Sequence, residues 1–169
     1  MNSLLEIRPM RPVDLPSISE IEVLCYTEIA PESDECLLAK LSASPSTCYV
    51  ACQQHKVVAY LISLPGSFEH PPELHAVTCE LPPNPDTLYL HDLAVSPNAR
   101  GTGAGKALVE RFITRAKELN FKHASLIAVQ GSKTYWERYG FRPIPQTGAL
   151  KAKLASYGDN AEYMEAKIR

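Results

Sequence analysis

Three glycines at alternate positions, Gly101, Gly103 and Gly105, lie in the run HDLAVSPNARGTGAGKALVERF, between an apolar stretch and a helical one. A glycine has no Cβ, so its backbone can take positive φ and can come close to a bound group. At a helix start this spacing leaves several N–H groups unpaired and pointing outward. With the helix dipole, those donors suit an anion, and a pyrophosphate particularly well. Arg100 and Lys106 flank the glycines. Two common phosphate loops do not fit the letters. A Walker loop needs GxxxxGK followed by Ser or Thr, whereas Gly105 and Lys106 are followed by Ala107, and Arg100 stands at the leading glycine position. A dinucleotide fingerprint needs GxGxxG, and its third glycine is replaced by Lys106 or Leu108, depending on the starting glycine.

The segment LAVSPNARGTGAGKAL resembles the acetyl-CoA signature of the GCN5-related N-acetyltransferase superfamily: an apolar strand, then V-x-P-x-x-R-G-x-G-x-G and a helix. The resemblance implies that Arg100, Gly101, Thr102, Gly103, Ala104, Gly105 and Lys106 cradle the CoA pyrophosphate. It implies that the main chain of Leu93, Ala94 and Val95 bonds the pantetheine, on a strand splayed from its neighbour. TYWERYGF looks like the family's F-Y-E-K-x-G-F segment near the thioester. The implied fold is a single α/β domain over residues 1–169: a central, mostly antiparallel mixed sheet with a splayed strand pair, flanked by about four helices.

Acetyl transfer from a thioester to an amine needs a neutral nucleophile, stabilisation of the oxyanion and a proton for the leaving thiolate. An alkylamine of pKa about 10.4 is roughly one part in a thousand neutral at pH 7, so a base helps. His91, on the strand that the resemblance brings to the thioester, has an ordinary pKa of about 6.5 and suits that task; packing against the sheet is its other reading. LYLHDLAV also resembles the strand of arylalkylamine N-acetyltransferases, H-x-H-x-L-A-V, with His91 at the second histidine and Tyr89 at the first. Asp92 beside it suits either a substrate contact or a backbone bond at a strand bulge. Trp136 stands where the family has its acid tyrosine, and an indole N–H donates a hydrogen bond without acting as an acid. The acid role therefore passes to Tyr135, Tyr139 or water, with Trp136 as a wall of the thioester pocket. Gln130 and Ser132 follow the next strand and suit bonds to the pantetheine amides; Ser132 equally suits a helix N-cap. Cys79 could form an acyl-enzyme, but no histidine is fixed beside it by the sequence.

These residues need elements to hold them. The pattern predicts a first strand at Leu4–Arg8 and a helix through DLPSISEIEVLCYTEI, buried along Leu15, Ile18, Ile21, Leu24 and Cys25. A shorter helix over 33–41 and a hairpin of 47–52 with 57–64 follow. Residues 65–86 hold six prolines and little periodicity, and form a candidate substrate loop. Strand 88–95 then feeds the helix 103–119, strand 123–129, a short helix in SKTYWERY ended by Gly140, strand 141–144, an irregular stretch, and a last strand 162–168. Alternating strands and helices indicate α/β with one sheet.

Composition limits the partners. A net charge of −2 without a dense Lys/Arg cluster argues against nucleic acid. No apolar run is long enough for a membrane span, and MNSLLEIRPMRP has no signal-peptide pattern, so the expectation is a soluble cytoplasmic protein. The five cysteines, without a CxxC pair, read as reduced thiols, and no metal site is indicated. The function expected is an N-acetyltransferase that takes acetyl-CoA and a small primary amine, arylalkylamine or polyamine-like. Glu69, Glu73, Glu80 and Asp86 of the proline-rich segment either attract a cationic amine or are solvated. A CoA-binding regulatory module without turnover and a protein or peptide acetyltransferase are the competing readings. Homodimers are common among the proteins it resembles.

Overall fold

The computed structural model describes residues 4–68 and 70–169, so Glu69, one of the four acids singled out above, lies outside the described residues. Its elements in chain order are β1 (Leu5–Pro9), α1 (Leu15–Cys25), α2 (Asp34–Ala43), β2 (Cys48–Gln53), β3 (Lys56–Gly66), β4 (Thr87–Val95), α3 (Ala104–Glu118), β5 (His123–Ala128), α4 (Lys133–Glu137), β6 (Arg142–Pro143), α5 (Gly148–Ala155) and β7 (Glu162–Lys167). The strands make one seven-stranded sheet in the order β1-β2-β3-β4-β5-β7-β6. Neighbours are antiparallel except β4 and β5, which run parallel. This is the expected mixed α/β domain.

Each face of the sheet carries helices. On one, Leu108, Val109, Phe112 and Ala116 of α3 pack with Leu61, Leu88, Leu90 and Leu126, and Trp136 and Phe141 close the end of that core. On the other, Leu15, Ile18 and Ile21 of α1 and Leu37 and Leu41 of α2 cover Val50, Tyr60, Ile62 and Ala94. Leu150 and Leu154 of α5, one turn apart, pack with Tyr157, Tyr163 and Tyr89. Two or three packed layers around such cores are the ordinary solution for a domain of this size.

Three expectations are corrected. The first helix ends at Cys25 rather than near Ile29: Tyr26 leaves helical geometry at φ −102°, ψ 109°, and its hydroxyl is drawn to β4. The buried face of α1 holds Glu22, whereas Leu24 is 59 % exposed. The stretch before the last strand contains a helix, α5, which raises the count to five. Its two leucines give too short a periodic pattern to stand out, and its burial comes from β7 and β4.

The register of β4 positions the site. Asp92 pairs with Ile62 and Leu90 with Ser63, so His91 is the extra residue of a β-bulge. The bulge shifts the alternation by one. Leu88 and Leu90 face α3, as do Leu93 and Val95 beyond it, while Asp92 and Ala94 turn to the α1 side. Pairing of β4 with β5 stops at Leu90 and Leu126, after which the two strands part. That gap is the splayed pair that the family resemblance implied. Among the described residues, no helix is long and apolar enough to cross a membrane.

Candidate active site

The gap between β4 and β5 opens into a cavity of about 410 Å³. One wall is Leu90 to Val95 of β4, the opposite wall Leu126, Ile127, Val129 and Gln130, and the end of α1 with Tyr26 crosses over it. Arg100, Ser132, Tyr135 and Trp136 stand at one end; Glu22, Glu32, His91 and Leu74 line it as well.

The glycine loop fulfils two distinct demands. Gly101 and Gly103 sit at φ +81° and +88°, where an L side chain is strained. Gly105 is needed for proximity: a Cβ there would come within 3.0 Å of the Tyr135 hydroxyl and 3.3 Å of Val95 Cγ2. Gly103 occupies the N-cap of α3 and no side chain caps that helix. The first intrahelical bond runs from Ala107 N–H to Gly103, which leaves the amides of Ala104, Gly105 and Lys106 without helical partners. Thr102 is turned back on the carbonyl of Ala99, and the Lys106 ammonium pairs with Glu110 at 3.4 Å, so the loop offers its main chain. Uncapped amides, left-handed glycines and close packing on Tyr135 together fit a pyrophosphate.

The edge of β4 inside the cavity is partly taken. The carbonyl of Leu93 accepts from the Tyr26 hydroxyl at 2.9 Å, and that of Val95 from the Cys25 thiol at 3.2 Å. A residue's N–H points to the same side of a strand as its C=O, so the N–H groups of Leu93 and Val95 face the gap too. Ala94 instead turns toward β3. Gln130, at φ +51°, spends its side chain on the end of α1, where its Oε1 accepts from Thr27 and Glu28 N–H and its Nε2 donates to the Cys25 carbonyl. Ser132 lines the cavity at the N-cap of α4 without making a side-chain cap bond.

His91 is part of a buried polar cluster. Its Nε2 meets Glu32 Oε1 at 2.5 Å, and the two side chains are 1 % and 2 % exposed. The other Glu32 oxygen accepts from the Lys40 ammonium at 3.1 Å and from His75 N–H at 3.0 Å. Burial acts to raise the Glu32 pKa, but the bonds and charges of His91 and Lys40 overcome it and hold the group at about 2. An ionised carboxylate only accepts, so His91 carries its proton on Nε2, and Nδ1, with no partner among the described residues, is the open nitrogen. Asp92 bonds two phenols rather than backbone, Tyr26 at 2.6 Å and Tyr60 at 2.7 Å. Burial raises its pKa against the pull of His91 and the phenols.

Most of the fold, and the cavity lining apart from Tyr157, lie inside the stretch that matches one family. The model of the acetyltransferase (GNAT) family covers residues 15–141, well over half of the chain. The chain belongs to this acyltransferase family. Among solved structures, Ard1 from Thermoplasma volcanium is 18 % identical with a TM-score of 0.76, and each chain covers 98 % of the other. The GphF GNAT-like decarboxylase in complex with isobutyryl-CoA is 16 % identical at TM-score 0.77, covering 97 % of this chain and 100 % of that one. The PaiA N-acetyltransferase from Thermoplasma acidophilum in complex with coenzyme A is 16 % identical at TM-score 0.69, covering 97 % and 99 %. Among curated protein sequences, none matches significantly.

Within this acyltransferase the remaining expected residues divide. Trp136 lines the cavity and packs edge-on against Tyr135 and Phe141, with ring centroids 5.0 Å and 5.8 Å away. Tyr135 lines it too, and burial and Tyr139 push its hydroxyl pKa up. Tyr139 stands 5.5 Å from Tyr135, ring to ring, and outside the cavity wall, because α4 ends at Glu137 and the following turn carries it away. Cys79, Glu73 and Glu80 border a separate cavity, and Asp86 holds Phe68 N–H. The proline-rich segment nevertheless reaches the main cavity through Leu74, while Tyr157 and Tyr163 bond the carbonyls of Pro72 and Phe68. Glu22, Glu32, Tyr26, Tyr60 and Lys40 were not singled out from the sequence. Their signal was present: Glu22 follows Ile18 and Ile21, and Lys40 stands between Leu37 and Leu41, both on apolar stripes.

Proposed function

We propose that this acyltransferase takes acetyl-CoA and acetylates a small primary amine by direct attack. The observation that carries the reading is a cavity lined both by Arg100, the residue that leads into the glycine loop and its uncapped α3 amides, and by His91, which Glu32 holds with Nδ1 left unpartnered among the described residues.

The main chain of Gly101 to Lys106 would hold the pyrophosphate with Arg100 beside it. The N–H groups of Leu93 and Val95 would meet the pantetheine, and Trp136 would wall the thioester. The co-substrate supplies, when bound, an acetyl group activated as a thioester. His91 Nδ1 takes a proton from the acceptor's ammonium: the N–H bond breaks, its electron pair stays on the amine nitrogen, and Nδ1–H forms. The imidazolium so produced is balanced by Glu32 through Nε2. Tyr139 takes no part in this scheme, and Tyr135 serves as a wall for the loop rather than an acid, since its proton is held more tightly than in a free phenol; the leaving thiolate would take its proton from water.

A small acceptor is favoured over a peptide by the proline-rich segment. Leu74 lines the cavity and His75 N–H is tied to Glu32, so the segment takes up space beside His91 that an extended peptide would need. The resemblance of β4 to arylalkylamine acetyltransferases points the same way. Calorimetry with CoA and acetyl-CoA, followed by thiol release across a panel of amines, tests the reading. Micromolar CoA binding and thiol release with at least one amine are expected. CoA binding without release on any amine or peptide would favour the regulatory module.

A further inference from the structure

Glu22 is 4 % exposed, lines the cavity from α1, and leaves one of its oxygens without a partner among the described residues. Oε1 accepts from Glu32 N–H at 2.8 Å; Oε2 has nothing. The neighbouring acids differ in this respect. Both Asp92 oxygens are bonded to phenols, and both Glu32 oxygens are bonded to His91, Lys40 and the main chain. A buried carboxyl oxygen without a donor is costly. His91 Nδ1 is likewise a buried polar atom without a partner among the described residues; Glu22 and His91 both line the cavity, and Glu32 links the two residues.

We propose that Glu22 binds the acceptor: its free Oε2 receives the ammonium group of a primary amine that bears no carboxylate beside the nitrogen. The assignment rests on the acetyltransferase reading above and specifies the substrate class. An ammonium brings the N–H donors that Oε2 lacks, and it carries the proton that His91 Nδ1 is placed to take. Three acids, Glu22, Glu32 and Asp92, line this part of the cavity; Lys40 lies outside its lining and is spent on Glu32, and the lining cation Arg100 stands at the end with Tyr135. A cation is welcome there and the carboxylate of an α-amino acid is repelled.

The binding is coupled to a proton. Burial, then the charge of Asp92 from β4, push the Glu22 carboxyl up to about 8; the hydrogen bond from Glu32 N–H opposes this, as does Lys40 from α2, while the charge of Glu32 adds to it. Near pH 7 the free protein therefore keeps Glu22 mostly protonated, and an arriving ammonium expels that proton.

The test is calorimetry on protein saturated with CoA, with phenethylamine against phenylalanine, pentylamine against norleucine, and putrescine against ornithine. At least one amine is expected to bind, and its carboxylated counterpart at least about tenfold more weakly. Repeating the titration at pH 7 in buffers of different ionisation heat should show a fraction of a proton released, which needs no variant. Glu22→Gln keeps the acceptor for Glu32 N–H; it should weaken the amine about tenfold, the worth of a charged hydrogen bond, abolish the release and leave CoA affinity unchanged. Binding of none of the amines, equal binding of amine and amino acid, or an unaltered amine affinity in Glu22→Gln overturns the assignment and leaves CoA binding standing. Failure of the parent protein to bind CoA overturns the acetyltransferase reading and this assignment with it.

Discussion

His91 Nε2 and Glu32 Oε1 lie 2.5 Å apart across 59 residues of chain, one on the bulge of β4 and the other in the connection between α1 and α2. The pair sets the tautomer, leaves Nδ1 open and places a negative charge where an imidazolium would form. His91→Ala is expected to lower kcat by about 10²- to 10⁴-fold, the usual contribution of a positioned proton acceptor. CoA affinity measured by calorimetry should be retained. Glu32→Gln keeps an oxygen for Nε2–H but loses the charge, so turnover should fall less. It also leaves Lys40 buried without its counter-charge, at a cost of about 3–5 kcal/mol that a denaturant melt would register. Full turnover in His91→Ala would remove His91 from the mechanism.

Gly105 and Tyr135 form a steric pair. A Cβ at 105 must displace the Tyr135 hydroxyl, the far end of a flexible side chain, and press on Val95. Gly105→Ala is expected to weaken CoA binding while the melting temperature changes little. Tyr135→Phe removes the atom that meets the new Cβ, so the double variant should recover part of the affinity. The single Tyr135→Phe should turn over within a few-fold of the parent, and a large loss in kcat would return the acid role to Tyr135.

Asp92 depends on its two phenols, which occupy separate oxygens. Tyr60 is fully buried, so Tyr60→Phe leaves Asp92 Oδ2 without a donor and without water. The expected destabilisation is about 1.5–3 kcal/mol, the range for a hydrogen bond to a charged group. Tyr26→Phe also frees the Leu93 carbonyl in the cavity, so it should alter CoA affinity, which Tyr60→Phe should not. Equal effects of both on CoA binding would contradict this division.

The glycine loop was legible because positive φ at Gly101 and Gly103 requires glycine whatever the tertiary context, and Gly105, required by the close approach of Tyr135 and Val95, continues the same alternate spacing. The strands and α3 were legible through their periodicity. The Glu22, Glu32 and Lys40 cluster was not, because its meaning depends on three segments meeting. Reading α1 with Leu24 inside followed the rule that apolar residues are buried. The fold instead buries Glu22 on that stripe and leaves Leu24 to solvent. Lys40, 1 % exposed among the apolar residues of α2, is the same signal. The extent of α5 and the route of the proline-rich segment over the cavity depend on contacts with Tyr157 and Tyr163 that no local pattern encodes.

The two glutamates at the site divide the pH axis. Glu32 ionises at about 2 in the folded chain against an ordinary 4.5, so the unfolded state binds more protons between these values. Its contribution to stability is present above pH 4.5 and is lost as pH falls toward 2. Glu22 has the opposite sign. Its folded value of about 8 lies above 4.5, so the folded state holds a proton that the unfolded chain releases. That contribution is complete below pH 4.5 and declines as pH rises to 8; Asp92, also raised, acts in the same direction. Glu22→Gln removes the Glu22 part of this slope. In thermal melts without ligand, the variant should match the parent near pH 5 and melt above it at pH 8. A gap of the same size at both pH values would mean that Glu22 is ionised throughout, and that no proton leaves it when a cation binds.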